Sequence, residues 1–152
     1  QERYHDALFY VKRALREEPE NTEFMLELAD LYYHLQLMEE AELLYEKITS
    51  INPAMVEAWL DWANSYAEQD QMDAAIKILQ DIYPSHPENV QIIYRLASYY
   101  FIKGELKTGA LHLQEALSKN ILESHLFFLH APGFESSKLV NDLIDLHQSK
   151  NE

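Results

Sequence analysis

Apolar side chains recur at helical spacing along the whole chain. One such series is Met25, Leu28, Ala29 and Tyr32, which follow the pattern i, i+3, i+4, i+7 and would share one face of a helix. Extended along the chain, this pattern predicts helices at about 3–17, 22–35, 38–51, 54–68, 72–83, 88–102, 106–119 and 135–149. Three Gly and five Pro are too few for the turns of an all-β fold. An all-α chain is therefore predicted.

The helical pattern repeats with a period of 34 residues. Pro19, Pro53 and Pro87 keep this step. Six further series share the register: Leu28, Trp62, Leu96; Ala29, Ala63, Ala97; Tyr32, Tyr66, Tyr100; Ala7, Ala41, Ala75, Gly109; Val11, Tyr45, Leu79, Leu113; and Ala14, Ile48, Ile82, Ala116. A fixed period of this length predicts a stack of repeated units.

Each unit is predicted to contain two amphipathic helices of about a dozen residues. The turns between them are expected at Leu37-Met38, Asp70-Gln71 and Gly104-Glu105, and a Pro closes the second helix of most units. The small residues of the Ala series allow the two helices to approach closely, and the recurring Tyr fills the gap against the neighbouring unit.

This register resembles the tetratricopeptide (TPR) repeat over residues 4–121, and related RNA-processing repeats of similar length fit the Ala and Pro series and the acidity less well. The fullest unit supplies the motif residues Trp59, Trp62-Ala63, Tyr66, Ala75, Leu79, Ile82 and Pro87. The third complete unit departs from the motif because Ile121 stands in the place of Pro. The resemblance implies an all-α, right-handed superhelix of antiparallel helix pairs.

The resemblance divides residues 1–152 into parts of a single TPR domain. These parts are the second helix of a truncated repeat at 1–21, three repeats at 22–55, 56–89 and 90–121, and a degenerate repeat with a capping helix at 122–152. We expect a C-terminal fragment of a longer array. The last helix, with Leu139, Val140, Leu143, Ile144 and Leu146 as its apolar stripe, caps the stack or binds a partner.

Composition and motifs argue against catalysis. The net charge of −14 disfavours a nucleic-acid or anionic-membrane partner, which needs clustered Lys and Arg. The chain has no Cys, no phosphate-binding loop and no nucleophile motif, and its seven His show no metal-ligand spacing. We predict no enzyme activity, no cofactor and no metal, and the lack of Cys and of targeting segments favours the cytoplasm.

The resemblance implies a concave groove lined by the first helix of each repeat, where a peptide or protein partner binds. The groove places fall on Glu23, Leu26, Glu27, Asp30, Tyr33, His34, Glu57, Leu60, Asp61, Asn64, Glu68, Gln91, Tyr94, Arg95, Ser98 and Phe101. Of these, Tyr33, Tyr94 and Phe101 lie off the shared core series and are expected to be exposed contacts. Trp59 and Trp62 occupy core places of the motif and are expected to pack there rather than to stack on a ligand.

The groove composition indicates the charge of the partner. A family variant that captures acidic peptide C-termini uses Lys, Asn and Arg at five places, which here hold Leu26, Asp30, Asp61, Gln91 and Arg95. Only Arg95 fits, so an acidic tail would be repelled and a basic or amphipathic peptide is expected. Residues 17–82 carry 16 acids and two bases and hold the whole excess charge of −14.

The sequence therefore predicts a non-catalytic protein-protein interaction scaffold. The alternative is a regulatory or substrate-recruiting module of a larger enzyme or signalling protein. A homodimer is a further alternative, because Leu8, Val11 and Leu15 form an apolar face on the opening helix that would lack its usual neighbour.

Overall fold

The computed structural model describes residues 2–149, and these residues contain helices and no strand. The α-helices are α1 (Glu2–Glu17), α2 (Thr22–His34), α3 (Met38–Ile51), α4 (Val56–Glu68), α5 (Met72–Ile82), α6 (Val90–Lys103), α7 (Leu106–Lys119), α8 (His125–His130) and α9 (Lys138–Gln148). Short 3₁₀ turns lie at Tyr83–Ser85, Ile121–Glu123 and Pro132–Phe134. The predicted all-helical class is confirmed.

The helix boundaries follow local chemistry. Asn21 Oδ1 accepts hydrogen bonds from the backbone N–H groups of Glu23 and Phe24, both at 3.1 Å, and so caps the start of α2. Asn89 caps α6 in the same way, which is why that helix begins at Val90 rather than at the predicted residue 88.

A left-handed residue ends the first helix of each complete repeat. Gln36, Asp70 and Gly104 have φ angles of 62°, 59° and 87°, and they are again 34 residues apart. Only glycine adopts this conformation without steric cost, so the third turn is unstrained while the first two tolerate an αL side chain. The second and third turns lie where the sequence predicts them, whereas the first occupies residues 35–37, because α3 already begins at Met38.

The chain forms two compact units, one up to Gln71 and the other from Met72. In unit 1, α2 packs against α1 and α3, and α3 packs against α4. Its core consists of Met25, Leu26, Ala29, Ala41, Tyr45, Ile48 and Ala58. Leu8, Val11 and Leu15, the face predicted for a homodimer, are each half-buried, and Leu15 packs against this core.

In unit 2, α6 packs against α5, α7 and α8, while α9 packs on α7. The core joins Tyr94, Phe101 and Leu113 with Phe127, Val140 and other apolar side chains. The apolar stripe predicted for α9 is partly wrong. Val140, Leu143 and Ile144 turn inward, but Leu139 and Leu146 are 42% and 48% exposed.

The C-terminal segment continues the 34-residue register. Ala131 extends the series of Ala29, Ala63 and Ala97, and Phe134 takes the place of the recurring Tyr. Both belong to the unit 2 core or pack against it. The helix breaks at Ala131-Pro132-Gly133, because α8 ends at His130 and a 3₁₀ turn follows at Pro132–Phe134.

Gly109 lies where α7 packs tightly against α6. A Cβ atom at this position would lie 2.5 Å from the Phe101 ring and 3.3 Å from the carbonyl oxygen of Ala97. The earlier repeats hold Ala at this place. In the third complete repeat, Gly109 has no methyl group, and the buried Phe101 ring takes that space.

We therefore expect Gly109→Ala to destabilise the protein by about 1 kcal/mol. Overpacking costs about 1–3 kcal/mol, which exceeds the gain in helix propensity of at most about 1 kcal/mol. Urea unfolding followed by circular dichroism measures the difference. Gly133→Ala is the control, because a Cβ atom there meets nothing within 4 Å; equal stabilities of the two variants would contradict the packing argument.

Candidate functional site

A cavity of about 270 Å³ opens in unit 1 between α2 and α4. Its lining residues are Asp30, Tyr33, His34, Tyr45, Glu57, Asp61 and Asn64. Three of the seven side chains are carboxylic acids, and two are tyrosines. We call this cavity, together with its neighbour Glu68, the acidic groove.

Helical periodicity places these side chains. Asp30, Tyr33 and His34 lie at i, i+3 and i+4 of α2, so they share one face of that helix. Glu57, Asp61 and Asn64 follow i, i+4, i+7 on α4. The remaining residue, Tyr45, reaches the cavity from the buried face of α3.

Hydrogen bonds fix the groove walls relative to each other. Asn64 Nδ2 donates to the Tyr33 hydroxyl at 3.1 Å and to Glu68 Oε1 at 3.2 Å, which links α4 to α2. The Tyr45 hydroxyl donates to Asp30 Oδ1 at 3.4 Å, which links α3 to α2. The groove is thus assembled before any partner arrives, and preorganisation of this kind reduces the entropy lost on binding.

Burial and negative charge shift the acid–base behaviour of the groove. Burial raises the pKa of Asp30 above its ordinary value, the hydrogen bond from Tyr45 opposes this shift, and the neighbouring Glu57 adds to it. Burial likewise raises the pKa of Tyr33 and of Tyr45, so both hydroxyls stay protonated as hydrogen-bond donors.

This arrangement suits the binding of a cation. Asp30, Glu57 and Asp61 offer carboxylate oxygens around one cavity, and an ammonium or guanidinium group would form charge-assisted hydrogen bonds with them. An anionic group would meet three like charges instead.

Six residues of the sequence-predicted groove line this cavity, namely Asp30, Tyr33, His34, Glu57, Asp61 and Asn64. Glu68 joins them through Asn64. Glu23 and Glu27 are exposed on α2 but are not part of the cavity lining. Leu26 and Leu60 are buried, and Leu26 belongs to the unit 1 core rather than to an open surface.

In unit 2, the prediction of exposed contacts at Tyr94 and Phe101 is wrong, and Ser98 is buried with them. Gln91 is exposed on α6, and Arg95 is half-buried. Burial and then the positive charge of Arg95 lower the pKa of His130 in α8 to about 4.

The C-terminal segment covers this face of α6. Ser98 Oγ donates to the carbonyl oxygen of Phe127 at 2.9 Å, and the Tyr94 hydroxyl donates to that of Asn120 at 2.8 Å. The Phe101 ring meets the rings of Phe127 and Phe134 edge-on, each at a centroid distance of 5.2 Å. Tyr94, Ser98 and Phe101, which would line an open groove in the third repeat, are therefore buried inside unit 2.

Sequence reasoning missed Tyr45. This residue falls in the 34-residue series of the second helix, where the motif places a core aromatic, and 1% of its surface is exposed. Its hydroxyl nevertheless reaches the groove. The residue type is the signal that could have identified it. Leu79 and Leu113 at the same place carry no hydroxyl, whereas a buried Tyr needs a hydrogen-bond partner for its hydroxyl.

Comparison with known proteins now assigns the family. A family model described as tetratricopeptide repeat matches residues 1–53 and 38–98, which together exceed half of the chain. The chain belongs to the tetratricopeptide repeat family. This membership agrees with the predicted role of a protein-interaction scaffold. No match was found among the curated proteins.

Solved TPR structures share the fold at low sequence identity. One MamA crystal structure has a TM-score of 0.71 and 20% identity, covering 97% of this chain and 88% of that chain. MamA from Desulfovibrio magneticus RS-1 has a TM-score of 0.67 and 16% identity, covering 98% of this chain and 88% of that chain. YrrB, described as a TPR protein with an unusual peptide-binding site, has a TM-score of 0.65 and 11% identity. The match covers 96% of this chain and 77% of that chain. At these identities the likeness shows the fold alone.

Between residues 2 and 149, no group of three or more His, Cys, Asp or Glu side chains has the arrangement needed to hold a metal ion. In the same part of this TPR chain, no helix has the length and apolar character of a membrane span.

The raised pKa of Asp30 predicts that this carboxylate lowers the stability of the free protein at neutral pH. The folded state binds the Asp30 proton more tightly than the unfolded chain, so the disadvantage is present above the raised pKa and vanishes below the unfolded pKa of about 4. We expect Asp30→Asn, which keeps the acceptor for Tyr45, to raise the Tm at pH 7, and to do so less as the pH falls towards 4.

Thermal unfolding across this pH range measures the difference. Glu20→Gln, at an exposed turn position, is the control and should show no such pH-dependent gain. A lower Tm for Asp30→Asn at pH 7 would show that the ionised carboxylate stabilises the fold.

Proposed function

We propose that this TPR chain is a non-catalytic scaffold that binds a basic or amphipathic segment of a protein partner in the acidic groove. The observation that carries the proposal is the convergence of Asp30, Glu57 and Asp61 on one cavity between α2 and α4. A volume of about 270 Å³ suits one long side chain rather than a folded element. A Lys or Arg side chain matches both the size and the charge.

The state of Asp30 supports this ligand class. A half-buried carboxylate with two acidic neighbours is unfavourable in the free protein, as its raised pKa indicates. An incoming cation would supply the missing opposite charge and favour the ionised form. Binding would therefore relieve an electrostatic cost that the fold carries in the free state.

The charge distribution supports the same partner at longer range. Residues 17–82 hold 16 acids and two bases, while the remaining residues balance to zero. A concentrated negative field accelerates the approach of basic partners and disfavours acidic ones. The groove lies within this acidic part of the chain.

The proposed binding surface is confined to unit 1. In unit 2, the corresponding face of α6 is covered by Phe127 and Phe134 of the chain's own C-terminal segment. An external peptide would have to displace this packing before reaching Tyr94 or Phe101. The acidic groove needs no such rearrangement.

A peptide titration tests the proposal. We expect Lys- or Arg-containing peptides with an apolar anchor to bind more tightly than their Glu-containing counterparts, with an affinity that falls as salt is added. Glu57 is an exposed residue of the groove. Glu57→Lys should lower the affinity for the basic peptide about tenfold, because it replaces an attraction with a repulsion. Fluorescence anisotropy of labelled peptides measures both effects.

Glu40→Lys is the matched control. It makes the same charge change at an exposed α3 position outside the groove, so it should weaken binding far less than Glu57→Lys. Preferential binding of acidic peptides would refute the proposed ligand class. Equal losses in the two variants would show that the overall charge matters but the groove does not.

A further inference from the structure

A second cavity lies on another side of α4. It has a volume of about 310 Å³ and is lined by Glu39, Glu42, Leu43 and Glu46 of α3 and by Trp62 and Tyr66 of α4. We call it the Trp62 pocket. On α4 its residues point away from Glu57, Asp61 and Asn64, because a helix turns about 100° per residue and the two sets fall on opposite sides.

The two walls of the Trp62 pocket differ in chemistry. The α3 wall follows the spacing i, i+3, i+4, i+7 and presents three carboxylates and the 67% exposed Leu43. The α4 wall presents two aromatic side chains whose ring centroids are 6.5 Å apart. Carboxylates and aromatic faces each attract cations, and here they border the same space.

Glu42 is held in place from α4. Gln69 Nε2 donates to Glu42 Oε1 at 2.6 Å, and Ser65 Oγ donates to the same oxygen at 3.3 Å. Burial and then the charge of Glu42 raise the pKa of the Tyr66 hydroxyl. Neither Gln69 nor Ser65 brings a positive charge.

The helix pair α1 and α2, one repeat before α3 and α4, carries a cation of the chain itself at the place equivalent to the Trp62 pocket. Thirty-four residues before the pocket, the equivalent positions are His5, Leu8, Phe9, Lys12, Leu28 and Tyr32. There the Lys12 ammonium lies 5.3 Å from the centroid of the Tyr32 ring. In the Trp62 pocket the counterpart of Lys12 is Glu46, and the counterpart of Tyr32 is Tyr66.

One repeat after the Trp62 pocket, the repeat tyrosine also receives a donor from the chain itself. The counterpart of Lys12 there is Gln80, whose Nε2 donates to the Tyr100 hydroxyl at 2.6 Å. Two of the three repeat tyrosines therefore receive a cation or a hydrogen-bond donor from this place of the preceding helix. Tyr66 faces a carboxylate there instead.

From this comparison we propose that the Trp62 pocket binds a lysine side chain of a protein partner. The ammonium takes the place that Lys12 occupies one repeat earlier, between the aromatic wall and the carboxylates of Glu39 and Glu46. The exposed Leu43 contacts the methylene groups of the lysine. This site is separate from the acidic groove and lies on another side of α4.

A titration with a single lysine tests the proposal. The probes are a blocked Gly-Lys-Gly peptide and its norleucine analogue, which has a similar side chain without the charge. The full chain is used with Glu57→Lys in the acidic groove, so that lysine binding there is suppressed. We expect the lysine peptide to shift the NMR signal of the Trp62 indole N–H with at least about tenfold higher affinity than the norleucine peptide.

Glu46→Lys supplies the cation that Lys12 provides one repeat earlier and is the decisive variant. It should reduce binding of the lysine probe about tenfold or more, whereas the matched Glu40→Lys, on the same helix but outside the pocket lining, should leave it within about twofold. Both positions are exposed, so both variants should fold. Equal binding of the two peptides, or unchanged binding by Glu46→Lys, would overturn the proposal. A site that accepted arginine or trimethyl-lysine but not lysine would overturn the assignment to lysine.

Discussion

Small residues on facing helices set the distance at which each repeat packs, and the positions of the larger side chains depend on that distance. Ala29 and Ala41 in unit 1 are fully buried, as are their counterparts Ala97 and Gly109 in unit 2. At Gly109 the helices are so close that a methyl group would strike the Phe101 ring. Interiors packed to this density transmit small changes in volume directly to their neighbours. A fixed spacing between helices is what lets α2 and α4 present the acidic groove as a defined cavity.

The repeat also allows one helix to serve two surfaces. Along α4, one set of side chains borders the acidic groove and another borders the Trp62 pocket, while Ala58 and Ala63 remain in the interior. The motif constrains the interior positions and leaves the others free to vary. Differences between repeats at those free places, such as Glu46 against Lys12 and Gln80, therefore carry the functional information, because packing does not require them.

The sequence predicts most of the helices because periodicity, Asn caps and the 34-residue step are local signals. It also predicts seven of the eight residues of the acidic groove, since they share helical faces with known spacing. It fails at Tyr94 and Phe101, whose burial depends on how α8 packs against α6. That contact joins residues about 30 positions apart, and Pro132 and Gly133 shorten α8 relative to the other first helices. The role of Tyr45 also depends on three-dimensional proximity, because its hydroxyl meets Asp30 across two helices.

We propose that the acidic groove of unit 1 receives a cationic side chain. Backbone NMR of the full chain, titrated with a lysine-containing amphipathic peptide, tests it most directly. We expect the largest amide shift changes to cluster at Asp30, Tyr33, Asp61 and Asn64 and to decrease as salt screens the charges. Shift changes centred on α6 and α8, with the α2 and α4 signals unmoved, would contradict it.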